Sequence, residues 1–248
     1  MRNLGELVYF MHIEKNAGTT VRSILRKNYD LGGYVGAPPM ARASVAGGAK
    51  TIDSLDEDVF EVVSEIQSRQ QMLACVAAGL PFGIDKYLDR HVAYFTFVRE
   101  PIRRCISNWY FAFQNRSHSP LWSVLQAYDF DLVRILADGA VYQFANDQVR
   151  MISGISAPSP VESDLRAACE IIEERFVLAG SVDSFDACLQ VLARRFGWHD
   201  VSYAKLNVGM KTDRSLLPAG AEKHFRDAND LDMRLYEWVV EKYLPGRL

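Results

Sequence analysis

The 248-residue sequence has few cysteines, no large excess of either charge and no long apolar run. Its four cysteines, Cys75, Cys105, Cys169 and Cys188, lie far apart and form no CxxC pair. This spacing argues against a structural zinc site and against a dense disulfide framework. It favours free thiols in a reducing compartment.

The charge balance and the short apolar runs argue against two further classes of protein. The formal net charge is -3, so the chain has no general basic field that would attract nucleic acid or an anionic membrane surface. The first apolar run, residues 8–13, is too short for a signal peptide or a membrane span. We therefore expect a cytoplasmic protein in which any site for a polyanion is local.

The pattern along the chain predicts one α/β domain over residues 1–248. Apolar residues make up 49% of the sequence and charged residues 24%, which is ordinary globular composition. Short apolar runs predict strands at 7–13, 72–77, 92–98 and 176–179. Helical spacing follows at 101–113, 121–152, 161–174, 185–196 and 230–243. This alternation predicts a parallel sheet with helices on both faces, whereas the Gly- and Pro-rich segment 31–50 predicts a mobile loop without a regular element.

The strongest local pattern is a loop between the first predicted strand and a helix. The segment Glu14-Lys-Asn-Ala-Gly-Thr-Thr20 follows the apolar run, and helical spacing begins at Val21. Backbone N–H groups in such a unit point at one spot and carry partial positive charge, which suits a phosphate. The residues expected to surround it are Lys15, Asn16, Ala17, Gly18, Thr19 and Thr20. The alternative is a tight turn with Thr19 as the helix N-cap and an incidental lysine.

A second segment places an arginine at the end of a predicted strand. Arg99 follows the apolar run 92–98, and Ser107 lies in the helix that Pro101 is predicted to begin. A planar guanidinium and a compact hydroxyl can converge on one anion. The pair therefore predicts a site for a 3′-phosphate, the group that distinguishes 3′-phosphoadenosine 5′-phosphosulfate (PAPS) from ADP-like nucleotides.

Both segments resemble the nucleotide motifs of PAPS-dependent sulfotransferases. His12-Ile-Glu-Lys-Asn-Ala-Gly-Thr-Thr20 is similar to the 5′-phosphosulfate loop, and Phe97-Val-Arg-Glu-Pro-Ile-Arg-Arg-Cys-Ile-Ser107 to the 3′-phosphate motif. The best match is the branch similar to heparan and dermatan 2-O-sulfotransferases, and blocks at 146–154, 176–185 and 206–214 extend it. The resemblance implies a P-loop-like three-layer fold with a central parallel sheet. It also implies one bound PAPS, released as adenosine 3′,5′-bisphosphate, and no metal.

The resemblance also implies roles for individual residues. Lys15 would neutralise charge on the oxygen that leaves the transferred sulfuryl group, in the manner of phosphoryl transfer. Lys211 and Arg214 match a late basic loop that closes over the 3′-phosphate, although a solvated charged turn would look the same. Gln148 and Arg150 match a block near the acceptor cleft, where an arginine could bind an anionic group of a sugar chain; the alternative is a helix surface. The acceptor implied is a hydroxyl or amine of a carbohydrate or glycolipid.

One family feature is missing. Many relatives in this branch have a histidine in a Gly-His-x-Pro-Phe-Gly-like segment, where it takes the acceptor's proton. This chain has Ala78-Gly-Leu-Pro-Phe-Gly83, and Gly79 occupies the matching position. Glu14 is our first candidate for a replacement base because a motif fixes its position beside the transferred group. The other candidates are Asp85, His12, His91 and His118.

Two other functions remain open from the sequence. The missing histidine is compatible with a catalytically inactive nucleotide-binding protein of the same fold. A P-loop small-molecule kinase is less favoured, because the loop lacks the GxxxxGK[ST] order in which the lysine precedes the magnesium-binding Ser or Thr.

Overall fold

A computed structural model describes residues 5–29, 33–39, 57–116, 119, 121–155, 159–204 and 220–243. Within these ranges the strands are β1 Leu7–Met11, β2 Tyr34–Pro39, β3 Cys75–Gly79, β4 Val92–Val98 and β5 Phe176–Ser181. The α-helices are α1 Gly18–Asn28, α2 Glu57–Arg69, α3 Pro101–Gln114, α4 Leu121–Ala127, α5 Leu132–Ala137, α6 Asp147–Ser153, α7 Glu162–Arg175, α8 Phe185–Phe196, α9 Ala221–Ala228 and α10 Asp230–Lys242. No helix among the described residues is long and apolar enough to cross a bilayer.

The strands form one parallel sheet in the order β2-β3-β1-β4-β5. In the central pair, Phe10 of β1 lies opposite Phe95 of β4. After β1 the chain continues to β2 and β3, which lie on one side of β1 in the sheet. After β4 it continues to β5, which lies on the opposite side of the central pair. In sheets of this kind, ligands bind outside the carboxyl ends of the two strands at which the direction reverses. The fold therefore directs attention to the loops that follow β1 and β4.

The two central strands are buried along their whole length, which explains their continuous apolar sequences. On one face, Tyr9 and Tyr94 belong to a core completed by α2, α6, α7 and α10. On the other face, Phe10 and Phe95 pack with α1 and α8. A third cluster joins α3, α4, α5 and α9. The prediction of a three-layer α/β fold with a central parallel sheet is confirmed.

The prediction that residues 31–50 contain no regular element was wrong for part of the segment. Residues Tyr34–Pro39 form edge strand β2, in which Tyr34 lies opposite Cys75 and Val35 opposite Val76. These aromatic and β-branched residues are buried and favour a strand. The prolines are compatible with it because β2 lies at the edge of the sheet, and the register shifts between Gly36 and Pro39. Residues 30–32 and 40–50 lie outside the described part of the chain.

Other predicted boundaries also moved. The predicted strand at 72–77 lies at Cys75–Gly79, because Met72 is exposed and precedes the sheet. The predicted helix at 121–152 is divided among α4, α5 and α6, and Asp129 and Phe130 have positive φ values between the first two. Helices α2 and α9 were not predicted, although buried Val59, Val63 and Ile66 follow helical spacing in α2.

Candidate active site

The loop between β1 and α1 has the backbone of an anion cradle. Lys15 and Ala17 adopt left-handed conformations, with φ values of 68° and 62°. Helix α1 begins at Gly18, and its N-cap residue, Ala17, makes no side-chain cap hydrogen bond. The first N–H groups of α1 therefore lack the side-chain acceptor that commonly satisfies them. The alternative with Thr19 as N-cap is wrong, because Thr19 lies inside the first turn and is exposed.

Gly18 is in close contact with a buried histidine. A Cβ atom at Gly18 would lie 1.7 Å from Nε2 of His12. The His12 ring is stacked on Phe10, with 5.5 Å between ring centroids, and the residue is 8% exposed. Burial, followed by the charges of Arg22 and Lys15, lowers the pKa of His12 to about 4. With so low a pKa, the His12 ring is a weak base, and its packing against Gly18 likewise does not favour it as the proton acceptor.

The side chain of Lys15 lies over an aromatic ring. Its Nζ atom is 4.0 Å from the ring centroid of Phe111, which projects from α3. Burial lowers the pKa of Lys15 to about 8; Glu14 opposes this shift and Arg99 adds to it. Lys15 thus remains mostly protonated at neutral pH, and it is held where a cation–π contact limits its freedom.

Glu14 precedes this lysine and is half-buried. Burial raises the pKa of its carboxyl group, while the charges of Arg104 and Lys15 act in the opposite direction. A carboxylate whose pKa is raised by burial is a stronger base than an exposed one, and such perturbed groups concentrate at functional sites.

The other candidates for the base are less favourably placed. Asp85 accepts a hydrogen bond from the Tyr94 hydroxyl at 2.6 Å and pairs with Arg175 at 2.5 Å. His91 immediately precedes β4, at the amino edge of the sheet and therefore opposite the loop. His118 lies outside the described residues. Gly79, at the position of the family histidine, ends β3 at the carboxyl edge of the sheet.

Arg99 brings the second predicted motif against the first. It follows the last residue of β4, and its Nη1 donates a hydrogen bond to the main-chain oxygen of Lys15 at 3.0 Å. Ser107 lies in the second turn of α3 and is buried. The two segments that were predicted to bind the two ends of one nucleotide thus meet at the carboxyl ends of neighbouring strands.

Gln148 is fully enclosed between these segments. Its Oε1 accepts hydrogen bonds from Asn16 Nδ2 at 2.8 Å and from the Arg99 N–H at 2.9 Å, and its Nε2 donates to the Arg99 carbonyl at 3.0 Å. Asn16 Nδ2 also donates to the carbonyl of Phe97 at 2.8 Å. With Gln148 0% exposed and both amide atoms bonded to protein, this arrangement argues against the predicted contact with an acceptor.

Arg150 is also removed from solvent. It is 2% exposed, pairs with Asp147 and lies over the ring of Tyr142, with 4.3 Å from its Cζ to the ring centroid. Asp147 also pairs with the fully buried Arg104 at 2.9 Å. Arg150 therefore belongs to a buried ionic cluster, and this arrangement likewise argues against direct contact with an acceptor.

The remaining predicted nucleotide contacts are Lys211, Arg214 and Thr20. Lys211 and Arg214 lie outside the described residues. Thr20 is half-buried in the first turn of α1, beside the cradle. Within the described part of the chain, no group of three or more His, Cys, Asp or Glu side chains is arranged to hold a metal ion.

Three structural features of the site were not predicted from the sequence. The first is the contact of Phe111 with Lys15, since nothing in the sequence spacing connects these two residues. The contact between Gln148 and Asn16 joins residues 132 positions apart. The third feature is the packing of the His12 ring on Gly18.

Comparison with known proteins identifies the family of the chain. A model of the sulfotransferase family matches residues 5–147, which include the loop after β1, the end of β4 and all of α3. No curated protein matches the chain. Because the family match extends over more than half of the sequence and includes both segments of the candidate site, the chain belongs to the sulfotransferase family.

Proposed function

We propose that this protein transfers a sulfuryl group from PAPS to a hydroxyl or amine of an acceptor. The observation that carries the proposal is the contact between the two motifs. Arg99, the predicted 3′-phosphate ligand, donates to the main chain of Lys15 in the predicted 5′-phosphosulfate loop. One nucleotide with phosphates at both positions would therefore engage two segments that the fold already holds together.

The described residues fit such a nucleotide. The left-handed Lys15 and Ala17 and the uncapped start of α1 leave main-chain N–H groups for the 5′-phosphate. PAPS would supply the sulfuryl group: the bond from its sulfur to the bridging oxygen would break as a bond forms between that sulfur and the oxygen or nitrogen of the acceptor. Lys15 would stabilise the negative charge that develops on that bridging oxygen. Arg99 and Ser107 would hold the 3′-phosphate.

We further propose Glu14 as the group that takes the acceptor's proton. Gly79 has no side chain that could do so, and Glu14 adjoins the lysine of the loop. The raised pKa of its carboxyl group makes it a suitable proton acceptor near neutral pH.

The acceptor class is inferred from the resemblance to heparan and dermatan 2-O-sulfotransferases, so we propose that the acceptor is a carbohydrate or a glycolipid.

Gly79 also supports a second candidate function, that of a nucleotide-binding protein of this family without transferase activity. The two are separated by incubating the protein with radiolabelled PAPS and sugar, glycolipid and phenolic acceptors. Label transferred to a sugar or glycolipid supports the first proposal. Binding of adenosine 3′,5′-bisphosphate without transfer to any acceptor supports the second.

The nucleotide site is tested by calorimetric titration with adenosine 3′,5′-bisphosphate, AMP and ADP. We expect the wild type to prefer the bisphosphate, and Arg99→Ala to weaken its binding by roughly ten- to a hundredfold, as expected for a lost charge-assisted hydrogen bond. Binding of AMP should change much less, because AMP lacks the 3′-phosphate.

Arg195→Ala is the matched control for Arg99→Ala. Arg195 pairs with Glu6 at 2.5 Å, and Glu6 immediately precedes β1, at the edge of the sheet opposite the site. Its removal should leave all three affinities unchanged. Equal binding of AMP and the bisphosphate by the wild type would contradict the assignment of Arg99 and Ser107.

The pH dependence of kcat/KM tests the pair Glu14 and Lys15. Since burial lowers the pKa of Lys15 to about 8, the rate should fall as the pH rises through that value and the lysine loses its proton. Since burial raises the pKa of Glu14, the acid limb should lie above the range of an ordinary glutamate. Glu14→Gln should lower turnover and remove the acid limb. An acid limb that survives in Glu14→Gln would assign the proton acceptor to another group.

A further inference from the structure

We propose that Gln148 is a positioning residue that couples the 5′-phosphate loop to the 3′-phosphate arginine. The proposal rests on the proposed function, since it concerns how the same site recognises both ends of the nucleotide. It replaces the acceptor contact predicted for Gln148 from the sequence.

The Gln148 amide pairs with the main chain of Arg99 in the way that a neighbouring strand would. It accepts from the Arg99 N–H and donates to the Arg99 carbonyl, so both main-chain polar groups of Arg99 are satisfied just beyond the end of β4. These bonds fix the backbone from which the guanidinium projects. Because Gln148 is completely buried, water cannot replace them.

The same amide also holds the phosphate loop. Oε1 of Gln148 is shared between the Arg99 N–H and Nδ2 of Asn16, the residue between the left-handed Lys15 and Ala17. Asn16 Nδ2 in turn donates to the carbonyl of Phe97 in β4. A displacement of the loop relative to the end of β4 would therefore break buried hydrogen bonds on both sides of one side chain.

The position of Gln148 is itself fixed by a distant helix. Asp232 of α10 accepts hydrogen bonds from the main-chain N–H groups of Gln148 and Val149, at 3.0 and 2.8 Å. Asp232 is 0% exposed, so the first turn of α6 is held by a buried carboxylate. Gln148 thus extends from a fixed helix end to both anion-binding segments. Such preorganisation favours a ligand that must engage both at once.

The coupling predicts a specific defect in nucleotide recognition. The quantity to measure is the 3′-phosphate preference, defined as the dissociation constant for AMP divided by that for adenosine 3′,5′-bisphosphate. Gln148→Met keeps the approximate length of the side chain but removes all three hydrogen bonds. We expect it to lower the preference by about tenfold or more, since the arginine loses its fixed geometry. A merely structural defect would weaken both nucleotides alike and leave the ratio unchanged.

Gln143→Met is the matched control, because it makes the same chemical change at a nearby buried glutamine. Among the described residues, the Gln143 side-chain oxygen has no hydrogen-bond partner, so the 3′-phosphate preference of Gln143→Met should be unchanged. Asn16→Ala breaks the same connection from the loop side. Asn16 belongs to the 5′-phosphate loop and is not one of the predicted 3′-phosphate ligands. We nevertheless expect Asn16→Ala to lower the 3′-phosphate preference, because the Asn16 side chain is bonded to Gln148. Thermal unfolding of each variant identifies any that does not fold. If Gln148→Met does not fold, the effect of Asn16→Ala on the 3′-phosphate preference tests the coupling instead.

The outcomes separate this proposal from the one on which it rests. A wild type without any 3′-phosphate preference overturns the proposed function, and the coupling with it. A wild type that prefers the bisphosphate, with the preference intact in folded Gln148→Met and in Asn16→Ala, overturns the coupling alone. Loss of the preference in these variants, with Gln143→Met unchanged, supports it.

Discussion

Replacing Lys15 with alanine should lower the rate of sulfuryl transfer on the order of a hundredfold or more, because its positive charge would no longer stabilise the leaving oxygen. Much of the nucleotide affinity should remain, since the main-chain N–H groups of the loop and the 3′-phosphate contacts are retained. Calorimetry with adenosine 3′,5′-bisphosphate and a single-turnover assay with labelled PAPS measure the two effects separately.

Among the described residues, Arg99 is the nearby cation that would have to replace this charge, and the structure argues against it. Lys15 extends from a left-handed backbone position, and its Nζ lies over Phe111. Arg99, the nearby cation, is oriented by its own bonds to the Lys15 carbonyl and to Gln148. Neither the loop nor the end of β4 can move a second cation to the same place without breaking buried hydrogen bonds.

Lys27→Ala is the matched control for Lys15→Ala. Lys27 lies near the opposite end of α1, where it contacts Asp200 and Ser202 at the surface. Its removal should leave both affinity and rate unchanged. Wild-type turnover in Lys15→Ala would remove this lysine from the reaction, whereas a large loss of affinity would assign it mainly to binding.

The sequence predicted the centre of the fold better than its edges. The bounds of β4 and α8 were predicted correctly, because both have an uninterrupted local pattern that burial explains. Edge strand β2 was missed, because its glycine and proline residues obscure a pattern carried by Tyr34 and Val35. Its pairing with β3 depends on residues about forty positions away, which no local rule detects.

In the candidate site, too, residues that belong to a local sequence pattern were identified, whereas a residue that depends on long-range contacts was not. The loop residues and Arg99 were identified because each belongs to a continuous motif beside an apolar strand. The role of Gln148 was not identified, because it depends on contacts across 49 and 132 residues. A glutamine near the start of a helix resembles a surface residue in sequence. Only the packing of α6 against α10 and the ends of β1 and β4 makes it a buried connection.

Gly18→Ala should be the most damaging single-methyl change in the site. The added Cβ would lie 1.7 Å from His12 Nε2, far inside contact distance, so the ring or the start of α1 must move. The ring has little room, since it is buried and stacked on Phe10. Overpacking of this kind costs about 1–3 kcal/mol of stability. A loop displaced by about an ångström should lower the transfer rate on the order of a hundredfold.

Two further variants separate this clash from other effects of the methyl group. Gly5→Ala is the control, because a Cβ at Gly5 would meet no described residue within 4 Å, and the stability and activity of this variant should be unchanged. The double variant His12→Ala with Gly18→Ala removes the ring that the methyl group meets. If the contact with His12 is the reason for glycine, the double variant should bind adenosine 3′,5′-bisphosphate more tightly than Gly18→Ala alone. If binding is no better, removal of the ring does not relieve the defect, and this outcome would contradict packing against His12 as the reason for glycine.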